Sequence, residues 1–374
     1  MVIVLAALTA GTAWAVQECE LNGESVNPAN GHTTQGKSGT MRCRDGGHLV
    51  REQELQNGKF MGAVRYYTEG KLSREYSVNE RGNMQGRSQE FAANGQLVRD
   101  AGYDDGRQVG LARTFYADGQ LQRASFYGPL GELAYAEFTS RGELRSLRCA
   151  ERPVLAPVVD DAKLCGFPLR TSTVAFVAEN GTVRARGTYV AGKRLRYETF
   201  QDNGLPAQQE EVTLTSRVER SFGPNGAKRR EVLWAINNGK AVREREQEFA
   251  ANGSLTRERL WTQGELSSES TYYLNGQPRS KAQYTMSGST RLLETREFYD
   301  NGVLAAEGRY IDTGRYAPVP TGTHRRYDMQ GKLKSESIFD SRGRISRERT
   351  WDAEGDLLRD DELFEDGSRK VYTR

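Results

Sequence analysis

Apolar positions along this chain recur in a fixed frame: an aromatic residue, three residues, Gly, one residue, Leu. Tyr66/Gly70/Leu72, Phe91/Gly95/Leu97, Phe115/Gly119/Leu121 and Phe138/Gly142/Leu144 follow it, with glycine steps of 25, 24 and 23. A second marker, Gly-x-x-x-Gly, falls between them at Gly58/Gly62, Gly82/Gly86 and Gly106/Gly110, at steps of 24. The segment Gln89-Glu90-Phe91-Ala92-Ala93-Asn94-Gly95 returns unchanged as Gln247-Glu248-Phe249-Ala250-Ala251-Asn252-Gly253. Phe200/Gly204, Phe222/Gly226, Phe249/Gly253/Leu255, Tyr272/Gly276 and Phe298/Gly302/Leu304 continue the theme. Further on, Gly331, Gly343, Gly355 and Gly367 stand 12 apart, so the unit of 24 is two halves, each about one strand and one turn. The pattern predicts an all-β chain of antiparallel hairpins.

The glycines are often preceded by Asn or Asp, as at Asn94, Asp118, Asn203, Asn252 and Asn301. Such a pair suits either a two-residue hairpin turn or a three-residue loop with Gly in the left-handed region. A two-residue loop at Asn94-Gly95 sets Phe91 and Leu97 on opposite faces. A three-residue loop at Ala93-Asn94-Gly95 pairs them directly. The joint recurrence of aromatic and Leu favours the three-residue loop and a cross-strand pair as the unit of a thin core. Runs such as Arg243-Glu244-Arg245-Glu246 fill the intervening positions and predict one wet face and one packed face.

Composition narrows the class. The chain has 374 residues, 36% hydrophobic and 28% charged, with 40 Gly against 10 Pro, and its mean hydropathy is -0.73. These values argue against a large α/β enzyme, a helical bundle and a polytopic membrane protein. The 53 Lys+Arg against 50 Asp+Glu leave a net charge of +3, too balanced for a nucleic-acid binder driven by a basic field.

Residues 1–15, MVIVLAALTAGTAWA, are uncharged, mostly apolar and end in a small-x-small pattern. They read as a secretory signal peptide, although no Lys or Arg precedes the apolar stretch. An exported protein matures in an oxidising compartment, where an even number of cysteines implies disulfides. Cys19, Cys43, Cys149 and Cys165 allow three connectivities, of which the local pairs Cys19–Cys43 and Cys149–Cys165 are favoured. Each closes a loop without strong strand signals. A four-thiolate zinc site is disfavoured because Cys-x-x-Cys hooks are absent.

Candidate chemistry is sparse. His32 and His324 read as loop residues, and His48 shares the N-terminal part with His32. There is no His-x-x-x-His, Gly-x-Ser-x-Gly or phosphate loop. Asp104-Asp105, Asp160-Asp161 and Asp360-Asp361 show no glycosidase arrangement, and Asp300-Asn301-Gly302 reads as a turn rather than a calcium loop. No catalytic, cofactor or metal residue is assigned. Trp351 takes the repeat's aromatic position and is expected in the core. Trp234 and Trp261 lie off register and are expected to fill wider gaps.

Gly106-Arg107-Gln108-Val109-Gly110 with Thr114-Phe115-Tyr116-Ala117-Asp118-Gly119-Gln120-Leu121 and Phe126-Tyr127 resembles the variant MORN repeat, the unit of the YwqK-like antitoxin family. Tyr66-Tyr67-Thr68-Glu69-Gly70-Lys71-Leu72 and Phe298-Tyr299-Asp300-Asn301-Gly302-Val303-Leu304 fit equally well, and the likeness spans 54–144 and 172–374. The resemblance implies an elongated array of β-hairpins. It also implies a periplasmic immunity protein that binds a secreted toxin, type VI phospholipase effectors included. Envelope or membrane-associated scaffolding is the alternative, which leaves peripheral membrane contact open. The expected division is a signal peptide (1–15), an N-terminal cap (16–52), a first array (53–148), a disulfide-stapled connector (149–171) with three of the ten prolines, and a second array (172–374). Tyr316–Thr321, with two prolines, reads as a loop on an edge.

Overall fold

A computed structural model describes residues 17–372; the expected signal peptide lies outside them. The described residues are nearly all-β, 62% of the chain lying in strands, in two antiparallel sheets of 12 and 17 strands. The first runs from Glu18 to Arg148 and the second from Ser172 to Tyr372. Successive strands are hydrogen-bonded neighbours throughout, except that Glu18–Leu21 lies between Glu24–Val26 and Gly39–Asp45. The chain forms two compact units. One runs to Arg184 and includes Thr188–Lys193; the other comprises Ala185–Gly187 and the residues from Arg194 onward. The division falls within the strand Val183–Val190.

The repeat frame becomes a hairpin as the side-chain pairing argument requires. Phe91 faces Leu97 directly, with a bulge between Glu90 and Phe91. The Ala92 amide donates to the Gln96 carbonyl at 2.8 Å and the Gly95 amide to the Ala92 carbonyl at 2.8 Å, which closes a three-residue loop. Gly95 has φ +83° with open space around it, so its need for glycine is conformational rather than steric. The repeated heptapeptide builds the same loop in the other sheet: Phe249 faces Leu255, and Gly253 has φ +86°. Phe115 with Leu121, Phe138 with Leu144 and Phe298 with Leu304 repeat the pair.

Tyr66/Gly70/Leu72 departs from the frame. Glu69 and Gly70 form a two-residue turn, both with positive φ, and Leu72 therefore faces Tyr67 rather than Tyr66. Two-residue turns recur at Asn57-Gly58, Asp105-Gly106, Asn238-Gly239 and Gln263-Gly264. Because a meander reverses at every turn, alternate turns lie at opposite strand ends. The two glycine markers of the first sheet therefore mark its two ends. The steps of 12 arise where both ends use the three-residue loop, as at Asp340–Arg344 and Asp352–Asp356.

The expectation of one packed and one wet face is corrected. Past Arg194, Val232 and Leu293 are the buried apolar side chains among the described residues, and every residue of Ser216–Phe222 is half-buried. The Phe91 ring and the Leu97 side chain are likewise half-buried. Long Arg and Glu stems lie along both faces and cover the sheet while their heads pair.

The more compact core lies near the N-terminal end of the first sheet. Cys19, Leu21, Val26, Met41, Cys43 and Leu55 cluster there, with Val50 and Phe60 packed against them. The reading of weak strand content around Cys19 and Cys43 is also corrected: these cysteines face one another on the neighbouring strands Glu18–Leu21 and Gly39–Asp45. The segment between the sheets holds one short helix, Asp161–Leu164, capped by the Asp160 side chain. Pro320 is not in an edge loop. It lies in the interior strand Val319–Tyr327, facing Tyr310. The following strand pairs only from Gly322 onward, so the missing Pro320 N–H costs no ladder bond there.

Candidate interaction surface

Each sheet carries a row of directly opposed charges that runs across its strands. In the first, Glu20, Arg42, Glu52, Arg65 and Glu75 face one another in turn, alternating in sign. In the second, Arg296, Glu307, Arg325, Glu336, Arg349 and Asp360 do the same. The pairing is close: Arg42 Nε lies 3.0 Å from Glu52 Oε1, Arg325 Nε 2.9 Å from Glu336 Oε2, and Arg349 Nη1 3.1 Å from Glu336 Oε1. The carboxylates sink toward the sheet while guanidinium groups stay outside. Asp100 is buried between Arg87, 2.7 Å away, and Arg113.

Electrostatics follow from this layering. Burial pushes the Asp100 carboxyl up, but hydrogen bonds from Arg87 and Arg113 outweigh it and hold the group below the usual Asp range. Burial of Glu231 is likewise outweighed by Arg220 and Lys228. The Tyr67 hydroxyl donates to Glu52 at 2.7 Å. That bond is the main reason Glu52 titrates below its ordinary value. Burial, and then Glu52, push Tyr67 up to about 12.

The strand ends are tied from turn to turn. Asn275 Nδ2 donates to the Asp300 carbonyl at 2.8 Å and Asn301 Nδ2 to that of Met329 at 3.2 Å. Each Asn also accepts a bond within its own loop, from Gln277 N and Val303 N respectively. The hydroxyl of Tyr116 reaches the Phe138 carbonyl at 2.8 Å, and that of Tyr299 reaches Tyr327 at 2.8 Å. Asn is thus favoured before the glycine for a bridging bond as well as for turn geometry.

The sequence pattern of the MORN repeat variant matches residues 108–127 and 292–312. Each match covers a hairpin with a three-residue loop, Tyr116–Gln120 or Tyr299–Val303. The chain is a MORN-repeat protein. No curated protein matches the sequence. Among solved structures it is similar to the crystal structure of TcdB2-TccC3-TEV, at 11% identity over 90% of this chain and 20% of that one, with a TM-score of 0.18. It is also similar to the pore of a Photorhabdus luminescens Tc holotoxin, at 9% identity over 90% and 24%, with a TM-score of 0.18. The chain thus spans less than a quarter of either length.

In this MORN-repeat chain the four cysteines form the disulfides Cys19–Cys43 and Cys149–Cys165. Trp234 and Trp261 share one cationic neighbour. The Arg243 guanidinium, from the strand between theirs, lies 4.8 Å from the Trp234 ring centre and 5.0 Å from that of Trp261. Both rings are half-buried, and so is Trp351. The only hint in the sequence was their shared off-register position. His324 is not a loop residue. It sits within the strand Val319–Tyr327, with ring centres 4.8 Å from Tyr310 and 4.6 Å from Phe339, and its Nε2 lies 2.8 Å from the Arg309 carbonyl. His32 lies in a 3₁₀ turn and His48 begins a strand. Among the described residues no group of three or more His, Cys, Asp or Glu is placed to hold a metal ion, and no helix is long and apolar enough to cross a membrane.

Proposed function

We propose that this MORN-repeat protein is an exported binding module of the immunity type, which captures a secreted antibacterial toxin in the periplasm and covers its active site. The observation that carries the reading is the pair of sign-alternating charge rows. Each presents ordered guanidinium groups along a sheet already fixed by its own ion pairs. At roughly 4.8 Å between strands, several strands span the ~1,600 Å² total of a standard protein interface. The buried carboxylates are committed to arginines, which suits recognition and leaves them poorly placed for acid–base turnover. The two disulfides support maturation in an oxidising compartment. The toxin class favoured is a membrane-lipid hydrolase, on the repeat's resemblance to antitoxins.

The test is to produce a lipid-hydrolase effector encoded beside this protein in the periplasm, with and without it. Survival only when this protein is exported, with a one-to-one complex on a sizing column, is the expected result. Avid binding to lipid vesicles with no effector bound would replace the reading by an envelope scaffold.

A further inference from the structure

The repeat breaks at one place in the first unit, and a groove of about 770 Å³ lies there. Phe126 and Leu133 form one wall, from the hairpin Leu121–Phe138. Val154 and the Cys149 segment form another, and the turn Ala191-Gly192 closes it. The tip of that hairpin carries Leu130, fully exposed, and Leu133 is itself 42% exposed.

The walls are held firmly. Cys149 is bonded to Cys165. The Ala191 amide donates to the Gly166 carbonyl at 3.0 Å and the Gly192 amide to that of Cys165 at 2.9 Å. A Cβ on Gly192 would clash with the Ala150 carbonyl oxygen, so only glycine allows this approach. Asp161, buried, accepts from the Val154 and Leu155 amides at 2.7 and 2.9 Å and so fixes the strand of chain that presents Val154.

The rim differs from the rest of the molecule. Arg148, Arg152 and Lys193 are exposed and line the groove with a single carboxylate, Glu151. Elsewhere arginines are mostly paired across strands, yet these three cations have no ion pair or hydrogen bond from their side chains among the described residues. Apolar walls beside unpaired positive charge are complementary to an apolar anchor flanked by negative charge.

We propose that this groove docks an acidic segment of a partner protein through one or two bulky apolar side chains, with Arg148, Arg152 and Lys193 holding the flanking carboxylates. A concave, rigidly walled site receives a projecting side chain, whereas a bilayer surface offers none to fill it. The proposal rests on the reading of the chain as a binding module, and it names the chemistry of the partner.

The test uses the full oxidised protein and a fluorescein-labelled peptide, Gly-Asp-Glu-Asp-Leu-Trp-Asp-Glu-Asp-Gly, read by anisotropy. Three probes accompany it: the same peptide with Asn and Gln for the acids, one with Gly-Gly for Leu-Trp, and phosphatidylglycerol vesicles. The acidic apolar peptide is expected to bind roughly 10-fold or more tightly than either control peptide, with affinity falling as salt rises. Leu133→Asp and the double change Arg152→Glu with Lys193→Glu should each weaken it by about 10-fold without moving the thermal midpoint. Equal binding of the neutral peptide, no binding of the acidic one, or indifference to both variants overturns the proposal. Vesicle binding without peptide binding overturns it in favour of a membrane site. A toxin captured equally well by both variants sinks the groove but leaves the binding-module reading standing. A wild-type protein that binds the peptide but no toxin does the reverse.

Discussion

Asp100 illustrates how single residues hold a sheet with so little apolar burial. Its carboxyl is buried, which by itself favours the neutral form, yet two guanidinium groups keep it ionised below the ordinary value of 3.8. Glu52 and Asp360 behave alike, the first chiefly through Tyr67 and the second chiefly through Arg347. A depressed pKa means that the unfolded chain takes up protons before the folded one does. The stabilisation is therefore complete above the ordinary values, 3.8 for Asp and 4.5 for Glu, and is lost as pH falls through the lower folded ones. The urea midpoint should stay level from neutrality to about pH 5 and fall steadily below about pH 4. Asp100→Asn should flatten part of that fall. A midpoint that rises on acidification would contradict the layering of charges described here.

At the scale of the element, the hairpin is specified by its loop. Gly95 and Gly253 adopt the same left-handed conformation in two sheets, and at either one a Cβ would meet nothing within 4 Å. Replacement by Ala should therefore cost backbone strain alone, about 1–2 kcal/mol at each site, with equal effects because the heptapeptides are identical. Chemical denaturation of the two single variants checks this. Markedly unequal losses would show that the surroundings, not the loop, set the requirement. Where an Asn or Tyr bridges one loop to another, as from Asn275 to Asp300 and from Tyr299 to Tyr327, a hairpin is completed by its neighbour, as expected of repeats that contact mainly adjacent copies.

For the whole molecule, covalent reinforcement is uneven. Both disulfides lie in the first unit, closing sequence separations of 24 and 16, and the second unit contains no cysteine. By the loop-entropy argument each contributes about 3 kcal/mol. Peptide mapping without reductant should return the linked pairs Cys19–Cys43 and Cys149–Cys165. In calorimetry, reductant should lower the transition of the first unit and leave that of the second in place. A uniform shift of both would mean that the units unfold together.

The sequence by itself determined the strand-and-turn period and the Phe91–Leu97 type of pair across a three-residue loop, and it favoured the local cysteine pairs among three connectivities. All of these are relations between residues close along the chain, where backbone sterics and a short hairpin leave few choices. The charge rows were not legible, although every Arg and Glu was in view. Register across successive strands is shifted by the bulges beside Phe91, Phe249 and Phe298, and one residue of slip moves a side chain to the other face. The same uncertainty hid Arg243 between Trp234 and Trp261, and placed His324 in a loop when its ring is held by Tyr310 and Phe339. The groove lay furthest from view. It joins Phe126 and Leu133 to Val154 and Gly192, residues separated by a segment without periodicity, and only the packing of that segment brings them to one place.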